Sequence, residues 1–230
     1  MKPVLASEFF QQLRPVLGRG VLIGEGGQAQ SDGGGLDEPD VTFFFGLPGD
    51  RVFAGDWDGD GNLDLAAANF IGDWVDILKN FGSGEFEKTQ RISDRLATLG
   101  LATGDWDDDG DMDLAFANIF NNTVDIVANI RDGSFTVAQT FSGQSGAQAL
   151  ASGDWDMDLD LDLAVANSDA GSFVILETDI TASFSVAETV TGLPGATALT
   201  AGDWNGDGTI DLAVASASSV AEGRAENQRV

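Results

Sequence analysis

Aspartates at alternate positions form an oxygen-rich loop that recurs four times in the chain. The first copy, GDWDGDGNLDLAAAN from Gly55, carries carboxylates at positions 1, 3, 5 and 9 when its first aspartate is counted as position 1. Position 7 can add a backbone carbonyl, and water can complete a shell of about six to eight oxygens. Such donors suit a hard cation, above all Ca²⁺, whereas Mg²⁺ demands stricter octahedral geometry.

The candidate metal-binding residues occupy positions 1, 3, 5, 7 and 9 of the four loops. The first loop has Asp56, Asp58, Asp60, Asn62 and Asp64, and the second has Asp105, Asp107, Asp109, Asp111 and Asp113. The third loop has Asp154, Asp156, Asp158, Asp160 and Asp162, and the fourth has Asp203, Asn205, Asp207, Thr209 and Asp211. The second loop carries a further acid, Asp108, and is expected to hold its ion most strongly.

Position 6 must allow the sharp turn that wraps a loop around an ion. Three loops have glycine there, at Gly61, Gly110 and Gly208, but the third has Leu159. Because a side chain disfavours a positive φ, we expect the third loop to have the weakest geometry. Calcium sites of the helix–loop–helix type need Glu at position 12, where this chain has Ala, Phe or Val. The closing carboxylate lies instead at position 9, where an apolar run begins, so each loop should connect two strands.

The alternative interpretation of each loop is a solvated turn rich in Asp and Asn. Four copies in register argue against it, and so does the charge. The chain has 38 acidic and 11 basic residues, a formal charge of −27 that opposes compaction unless cations offset it. This charge also argues against nucleic acid and anionic membranes as partners. With no cysteine and no histidine, the chain lacks the usual residues of a nucleophilic triad, and we expect that the protein is not an enzyme.

The loops recur every 49 residues, since they begin at Gly55, Gly104, Gly153 and Gly202. Each is followed by an Ala-rich apolar run, by two more short runs separated by turns, and by a fourth run before the next loop. Four short strands per repeat of this length predict an all-β fold made of β-propeller blades, each with four antiparallel strands. The Ala-rich strand is expected to lie innermost, where blades converge.

The two ends differ from the repeats. We expect a flexible Gly-rich segment over residues 1–36, propeller repeats over 37–217 and a polar tail over 218–230. The fourth unit has no evident second strand after its loop. The runs VTFFFGLPG and RVFAGDW could complete it and close a small ring, but a partial arc is favoured. The open blade edges of such an arc could allow self-association. No apolar run is long enough to span a bilayer, and no signal-peptide segment is visible.

The repeating unit GDW-D-x-D-G-x-x-DLA resembles the FG-GAP/VCBS repeat, which also forms the calcium loops of integrin α-subunit propellers. The resemblance covers about residues 40–217. It implies a β-propeller, usually of seven blades, with calcium in hairpin loops, an extracellular or cell-surface location, and binding of proteins or glycans. Four loops are fewer than seven blades, and the Phe-Gly signature is partial, at Phe45-Gly46 and Phe81-Gly82.

Other residues invite a chemical interpretation beside a structural one. The tryptophans at position 2 of the loops (Trp57, Trp106, Trp155 and Trp204) could stack sugars, but one per repeat favours an anchor against the adjacent blade. Trp74 lies outside this register and is a better candidate for an exposed contact, although a core position is favoured. Asp76 and Asp125 occupy matching places and could form a carboxylate pair, but the solvated face of a strand is the favoured interpretation.

The sequence therefore predicts a calcium-binding propeller module that binds a protein or glycan in adhesion outside the cell. Its Ca²⁺ ions would be structural, and low-affinity sites of this kind fill outside cells at about 10⁻⁴–10⁻³ M. Two alternatives remain: an accessory or catalytic domain of a glycan-degrading enzyme, and a purely structural repeat of a larger surface protein.

Overall fold

A computed structural model describes residues 50–82, 86–94, 97–179 and 181–216 with their side chains, and the backbone of 21–22, 41–42 and 219–225. The segment predicted over 1–36 therefore falls outside the described residues except at 21–22, whereas the backbone of the tail predicted over 218–230 is described at 219–225, where it forms a strand. Most of the run VTFFFGLPG also falls outside the described residues. Among the described residues, every regular element is a strand.

The strands form four antiparallel sheets, which we call blades 1 to 4, and one short parallel pair. The parallel pair is β1 (Val21–Leu22) with β2 (Val41–Thr42). Blade 1 contains β3 (Arg51–Gly55), β4 (Asp64–Ala68), β5 (Trp74–Asn80) and β6 (Phe86–Ser93). Blade 2 contains β7 (Thr98–Gly104), β8 (Asp113–Asn118), β9 (Thr123–Asn129) and β10 (Phe135–Ser142). Blade 3 contains β11 (Ala147–Gly153), β12 (Asp162–Asn167), β13 (Ser172–Thr178) and β14 (Phe184–Thr191). Blade 4 contains β15 (Ala196–Gly202), β16 (Asp211–Ser216) and β17 (Ser219–Ala225).

The prediction of antiparallel blades is confirmed, with four strands in each of blades 1 to 3 and three described strands in blade 4. Each blade begins one strand earlier than the sequence unit, at the strand before the loop. The strand before a loop pairs with the strand after it, so the loop closes the first hairpin of its own blade. The closing pair is always a glycine opposite the position 9 aspartate, as in Gly55 with Asp64 and Gly104 with Asp113. The 49-residue sequence unit therefore runs from one blade into the next.

Blade 4 corrects two expectations about the ends of the repeats. A second strand after the fourth loop does exist, because β17 pairs antiparallel with β16. The run RVFAG forms β3 and pairs with β4 in blade 1, so it does not complete blade 4. In the part of the chain that the structure describes, the blades form no closed ring.

The apolar core lies between successive blades. The second strand of each of the first three blades is buried along its whole length, as in DLAFAN of β8. Trp57 and Ile77 of blade 1 pack in one cluster with Phe116 and Phe135 of blade 2. Similar clusters join blades 2 and 3 and blades 3 and 4. Because alternate residues of a buried strand face opposite neighbours, small alanines let sheets approach on both sides.

The innermost strands are the ones before the loops, which differs from the expectation for the Ala-rich strands after them. Strand β11 contacts β7 of the preceding blade and β15 of the following blade along the inside of the arc. A Cβ on Gly100 of β7 would lie 2.8 Å from the carbonyl oxygen of Gln148 and 3.0 Å from the Cα of Ala149 in β11. These strands are also rich in Gly and Ala, so both strands beside a loop carry small residues. Among the described residues, no helix has the length and apolarity needed to cross a membrane.

Candidate metal centre

The hairpins of the first three blades bring three aspartates together in each loop. In each loop, one carboxylate oxygen each from positions 1, 3 and 9 lies within 4.8 Å of the other two. The groups are Asp56, Asp58 and Asp64; Asp105, Asp107 and Asp113; and Asp154, Asp156 and Asp162. Three like charges at this spacing repel strongly in the absence of a counterion. The arrangement is therefore one that a cation would stabilise.

The position 9 aspartate is buried and fastens the loop to two strands. Asp113 is 2% exposed, and its Oδ2 accepts the backbone N–H of Trp106 at 3.0 Å while its Oδ1 accepts that of Asn129 at 2.8 Å. Asp64 and Asp162 make the same pair of bonds. Sequence reasoning identified these residues as ligands but missed this structural role.

Burial changes the acidity of these aspartates. Desolvation raises the pKa of Asp113 to about 6, against the two backbone hydrogen bonds that lower it, and the charges of Asp107 and Asp105 add to the rise. Desolvation raises the pKa of Asp162 to about 6 as well, with a further contribution from the charge of Asp156. The pKa of Asp64 is raised by the same cause. Each of the first three loops therefore holds a carboxylate whose charge is unfavourable until a cation balances it.

In the first two loops the position 1 aspartate holds the turn with one oxygen and leaves the other for a ligand, whereas Oδ1 of Asp154 in the third loop accepts the N–H of Met157 at 2.6 Å. Oδ2 of Asp56 accepts the N–H of Gly61 at 2.9 Å, and Oδ2 of Asp105 accepts the N–H of Gly110 at 3.1 Å. The Oδ1 atoms of both aspartates are buried and have no hydrogen-bond donor among the described residues. A buried carboxylate oxygen without a donor is costly, and a divalent cation would satisfy it. The residues present therefore fit a hard metal ion.

Positions 5 and 7 are bound to each other and lie outside the close groups. Oδ1 of Asp60 accepts both the backbone N–H and the side-chain amide of Asn62, each at 2.8 Å. Oδ1 of Asp109 and of Asp158 accepts the N–H of the residue at position 7 in the same way. The predicted side chains at positions 5 and 7 thus shape the loop, and only positions 1, 3 and 9 gather as a group.

The fourth loop keeps the turn but not the group of three carboxylates. Asp203 accepts the N–H of Gly208 at 3.0 Å, and Asp211 accepts that of Trp204 at 3.2 Å, as in the other loops. Position 3 is Asn205, whose amide nitrogen donates to Asp207 at 2.9 Å. Among the described residues, the fourth loop brings no three carboxylates to within the spacing found in the others.

Two positions in every loop have a left-handed backbone. Position 6 has φ of +89° at Gly61 and +82° at Leu159, so the third loop makes the same turn as the others although it lacks glycine. Position 4 is also left-handed, including Asp108 at +57° and Met157 at +65°. Sequence reasoning missed this second requirement. Its signal was glycine at position 4 of the first and fourth loops.

Charged residues on the third strand of a blade or in the turn after it distinguish the first three loops. The ammonium of Lys79, on β5, makes an ion pair with Asp58 and lies 3.8 Å from Oδ2 of Asp60. Arg131 lies 3.3 Å from Oδ2 of Asp109 at the second loop. Burial and the charges of Asp156 and Asp158 raise the pKa of Glu177, on β13 beside the third loop. Sequence reasoning overlooked these residues, although Lys79 and Glu177 are separated by two repeats of 49 residues.

The tryptophans at position 2 anchor the first three loops to the following blade. Trp57 packs edge-on against Phe135 with ring centroids 6.1 Å apart, and Trp106 packs against Phe184 at 5.8 Å. The preceding glycine makes room for the ring, because a Cβ on Gly104 would lie 2.7 Å from Trp106. Trp155 packs against the cluster shared by blades 3 and 4. Trp204 differs, since it is 57% exposed.

The side chains of Asp76 and Asp125 are buried, which corrects the expectation of a solvated strand face. Asp76 is 5% exposed and receives two hydrogen bonds from Arg91, at 2.6 and 2.7 Å. The guanidinium of Arg91 also lies over the ring of half-buried Trp74, 4.2 Å from its centroid. Asp125 is 1% exposed and accepts from Asn118 at 2.6 Å and from Thr140 at 2.5 Å. Each carboxylate is thus used within its own blade.

Comparison with known proteins identifies a family whose repeats match this chain and a solved structure with a similar fold. The FG-GAP-like repeat matches the chain three times, over residues 56–116, 105–165 and 154–214. A search of curated proteins finds no significant relative. Among solved structures, a chain in the crystal structure of BBS1N in complex with ARL6DN, soaked with lead, is similar with a TM-score of 0.50 and 15% identity. The match covers 72% of this chain and 50% of that chain, so the likeness concerns the fold alone. The repeated loops, the blades that they close and the three repeat matches together show that this chain belongs to the FG-GAP-like repeat family.

Proposed function

We propose that the chain is a calcium-binding repeat module in which Ca²⁺ holds the loops of the first three blades. The observation that carries the proposal is the group of three carboxylates at positions 1, 3 and 9. The buried oxygens of Asp56 and Asp105 that lack a donor support it. When bound, Ca²⁺ supplies the positive charge that the carboxylate oxygens coordinate, and it has no catalytic part. The chain's own residues orient the loop through backbone N–H groups and anchor it to the next blade.

The ligand-binding role rests on the family. FG-GAP-like repeats are typical of extracellular or cell-surface proteins, and the proposal places this chain there as a module for adhesion to a protein or glycan. Extracellular calcium modules bind at about 10⁻⁴–10⁻³ M, which suits that location. We propose no catalytic activity, because the chain has no histidine or cysteine and the matched carboxylates Asp76 and Asp125 are occupied by internal partners.

A second candidate is a structural repeat within a larger assembly of blades. The exposed Trp204 favours it, because the equivalent tryptophans of blades 1 and 2 are covered by the following blade. In this role the exposed face of blade 4 would meet another blade, including one from a second copy of the chain. Sedimentation of the purified chain over a range of concentrations tests self-association through that face.

Thermal unfolding with and without calcium tests the proposed function. Chelation with EDTA should lower Tm steeply, added Ca²⁺ should restore it, and Mg²⁺ should do so poorly. At about 100 times the Kd, each ion adds about 2.7 kcal/mol to the free energy of unfolding. A Tm that is the same in EDTA and in Ca²⁺ would contradict the proposal.

A pair of variants separates metal ligation from net charge. Asp107→Asn removes a carboxylate from the group of three, whereas Asp108→Asn makes the same change of charge at a neighbouring position outside that group. Asparagine also tolerates the left-handed backbone of position 108. The gain in Tm on adding Ca²⁺ should fall strongly for Asp107→Asn and much less for Asp108→Asn, which removes a nearby charge but no member of the group. Equal losses would indicate a general effect of charge.

A further inference from the structure

One strand position beside the loops carries a different charge in each of the first three blades. The residues are Lys79 on β5, Ala128 on β9 and Glu177 on β13, each 49 residues after the last. The next residue along each strand donates its backbone N–H to Oδ1 of the position 9 aspartate. The strand is therefore held against the loop in the same way in all three blades. Only the side chain at this position changes from cationic to neutral to anionic.

Lys79 already neutralises part of the first loop. Its ammonium pairs with Asp58, which belongs to the group of three and whose side chain is 5% exposed. The ammonium lies 3.8 Å from Asp60, interacts electrostatically with Asp64 and Asp132, and lies 5.6 Å from the ring centroid of Phe81. A cation that binds Asp58 must compete with this ammonium for the same carboxylate. A fixed positive charge at that distance also repels the incoming ion.

Among the residues that the structure describes, no cationic side chain pairs with the group of three carboxylates in the second loop. Position 128 is alanine, and the nearby Arg131 pairs with Asp109 at position 5, outside the group. The Arg131 side chain is 71% exposed, so water screens its charge and the pair contributes little. Arg131 and Lys79 therefore differ in which carboxylate they contact and in how much solvent surrounds them.

The third loop receives an additional negative charge. Glu177 is half-buried on β13, and it interacts electrostatically with Asp156 and Asp158 of the loop. Asp156 belongs to the group of three, and the nearby Asp160 has a buried Oδ2 with no donor among the described residues. A divalent ion at the third loop would be attracted by more negative charge than an ion at the first.

We propose that the residue at this strand position sets the calcium affinity of the adjacent loop, so that Lys79 makes the first loop weak and Glu177 strengthens the third. This inference rests on the proposed calcium-binding function. The ammonium of Lys79 stands in for part of the ion's charge, and the first loop stays assembled at calcium concentrations that leave it unfilled. The module would then fill its loops in sequence as calcium rises, with the first loop last.

Site-resolved NMR of the full chain tests the proposal with Ca²⁺ alone. The position 6 amides of Gly61, Gly110 and Leu159 each report one loop, because each donates to the position 1 aspartate of its own loop. In a titration with CaCl₂, the amide resonances of Gly110 and Leu159 should shift at Ca²⁺ concentrations about tenfold or more below those needed to shift the resonance of Gly61. One nearby charge changes the pKa of a carboxylate by about one to three units, and a change of the same size in Ca²⁺ binding corresponds to about tenfold or more in affinity.

Charge variants show whether Lys79 is the cause. Lys79→Met keeps most of the aliphatic part of the side chain and removes the charge. It should lower the Ca²⁺ concentration at which the Gly61 amide shifts by about 10- to 100-fold. Lys79→Arg keeps the charge and should change the Ca²⁺ concentration at which Gly61 shifts by less than about threefold. This variant keeps the proposal testable if Lys79→Met does not fold. Arg131→Met is the matched control and should change the response of Gly110 by less than about threefold. Glu177→Gln should weaken the response of Leu159 by about tenfold.

The outcomes separate the two proposals. If the three loops bind Ca²⁺ with equal affinity, and Lys79→Met does not change the affinity of the first loop, this inference is wrong although the chain binds calcium. No response to Ca²⁺ at any loop would overturn the proposed function and this inference with it. A second readout is independent of calcium: in EDTA, Lys79→Met should lower Tm while Arg131→Met leaves it unchanged, because the side chain of Asp58, the partner of Lys79, is 5% exposed and that of Asp109, the partner of Arg131, is 20% exposed.

Discussion

At the scale of single residues, the position 9 aspartate has two roles that oppose each other when metal is absent. Its oxygens accept backbone N–H groups from the loop and from the third strand, which fixes the hairpin. The same burial removes its charge from water and places it beside other carboxylates. Hydrogen bonding favours the ionised form, but desolvation outweighs it at Asp113 and Asp162. Protonation or a cation can each relieve this cost.

The stability of the metal-free protein should therefore fall as pH rises from about 4 to 6. The folded pKa of Asp113 and of Asp162 is about 6, above the ordinary value of 3.8. In this window the folded chain binds more protons than the unfolded chain, so the free energy of unfolding decreases with pH. In EDTA, Tm should be higher at pH 5 than at pH 7.5. In excess Ca²⁺ the order should reverse, because the ion binds deprotonated carboxylates.

Asp113→Asn provides the control for this pH dependence. The substitution removes one of the titrating groups, so the difference in Tm between pH 5 and pH 7.5 in EDTA should become smaller. A metal-free protein whose Tm rises steadily over the same interval would show that these carboxylates are not protonated in the folded state.

Leu159 is the second residue whose conformation leads to a prediction. It adopts φ of +82° and is 89% exposed, so its side chain adds strain and little packing. Leu159→Gly should raise the free energy of unfolding by about 1 kcal/mol, since removing the Cβ relieves the left-handed strain and glycine's greater freedom when unfolded offsets part of the gain. Urea denaturation in EDTA measures the change.

Gly110→Leu is the reciprocal substitution at the same loop position, where φ is +93°. No heavy atom lies within 4 Å of the Cβ that it would add, so any loss reflects the backbone and not a clash. It should destabilise the protein by about 1–2 kcal/mol. A stabilising effect of Gly110→Leu, or a loss from Leu159→Gly, would contradict the requirement for a left-handed residue at position 6.

At the scale of elements, a glutamine clamp joins the outer strands of successive blades. Gln139 on β10 accepts the N–H of Phe184 at 3.1 Å and donates to its carbonyl at 3.0 Å. Gln90 on β6 makes the same two bonds with Phe135, at 2.7 and 2.6 Å. Each clamp satisfies the backbone of the phenylalanine on which the tryptophan anchor packs. Loop, anchor and outer strand thus form one connected joint between blades.

Removing a clamp should destabilise the joint without changing calcium affinity directly. Gln139→Ala leaves both backbone groups of Phe184, which is 4% exposed, without this partner. The free energy of unfolding should fall by about 1–3 kcal/mol. Thr136→Ala, at an exposed position of the same strand, should change it by less than about 0.5 kcal/mol. Chemical denaturation in Ca²⁺ compares the two variants, and equal effects would show that the clamp is not stabilising.

At the scale of the whole molecule, stability is shared along the arc, because each apolar cluster includes residues of two neighbouring blades. Blade 4 is the exception in the described part of the chain, since its tryptophan is largely exposed. Repeats that contact their neighbours gain most of their stability at the interfaces. The contribution of a tryptophan anchor should then depend on whether another blade covers it.

Tryptophan substitutions test this dependence on position in the arc. Trp106→Ala removes a side chain that is 5% exposed and packed on Phe184, and should destabilise the protein by about 3–5 kcal/mol. Trp204→Ala removes the equivalent exposed side chain and should change the free energy of unfolding by less than about 1 kcal/mol. Urea denaturation measures both. A large loss from Trp204→Ala would show that another surface covers this tryptophan in solution.

The amino-acid sequence by itself determined the repeat, the antiparallel blades and the aspartates that gather in the loops. These features depend on local rules: the period of 49 residues, the turn residues, and alternate side chains in a short loop. Position 9 followed from spacing alone, because the closing carboxylate stands at the start of a strand. The tryptophan anchors were also predictable, since one large aromatic residue recurs in each repeat.

Only the tertiary structure decided which strand begins a blade, how Asp76 and Asp125 are used, and what charge lies beside each loop. A repeating sequence does not show at which strand the structural unit begins. Only the sheet shows that β7, the strand before the loop, pairs with β8 and so begins blade 2. The sequence pattern places Asp125 on a solvent-facing side of its strand, but in the sheet Thr140 and Asn118 of the neighbouring strands donate hydrogen bonds to it. Lys79 approaches Asp58 from 21 residues away in the chain, through the adjacent hairpin. Contacts between strands depend on the register and packing of whole sheets, which no local pattern specifies.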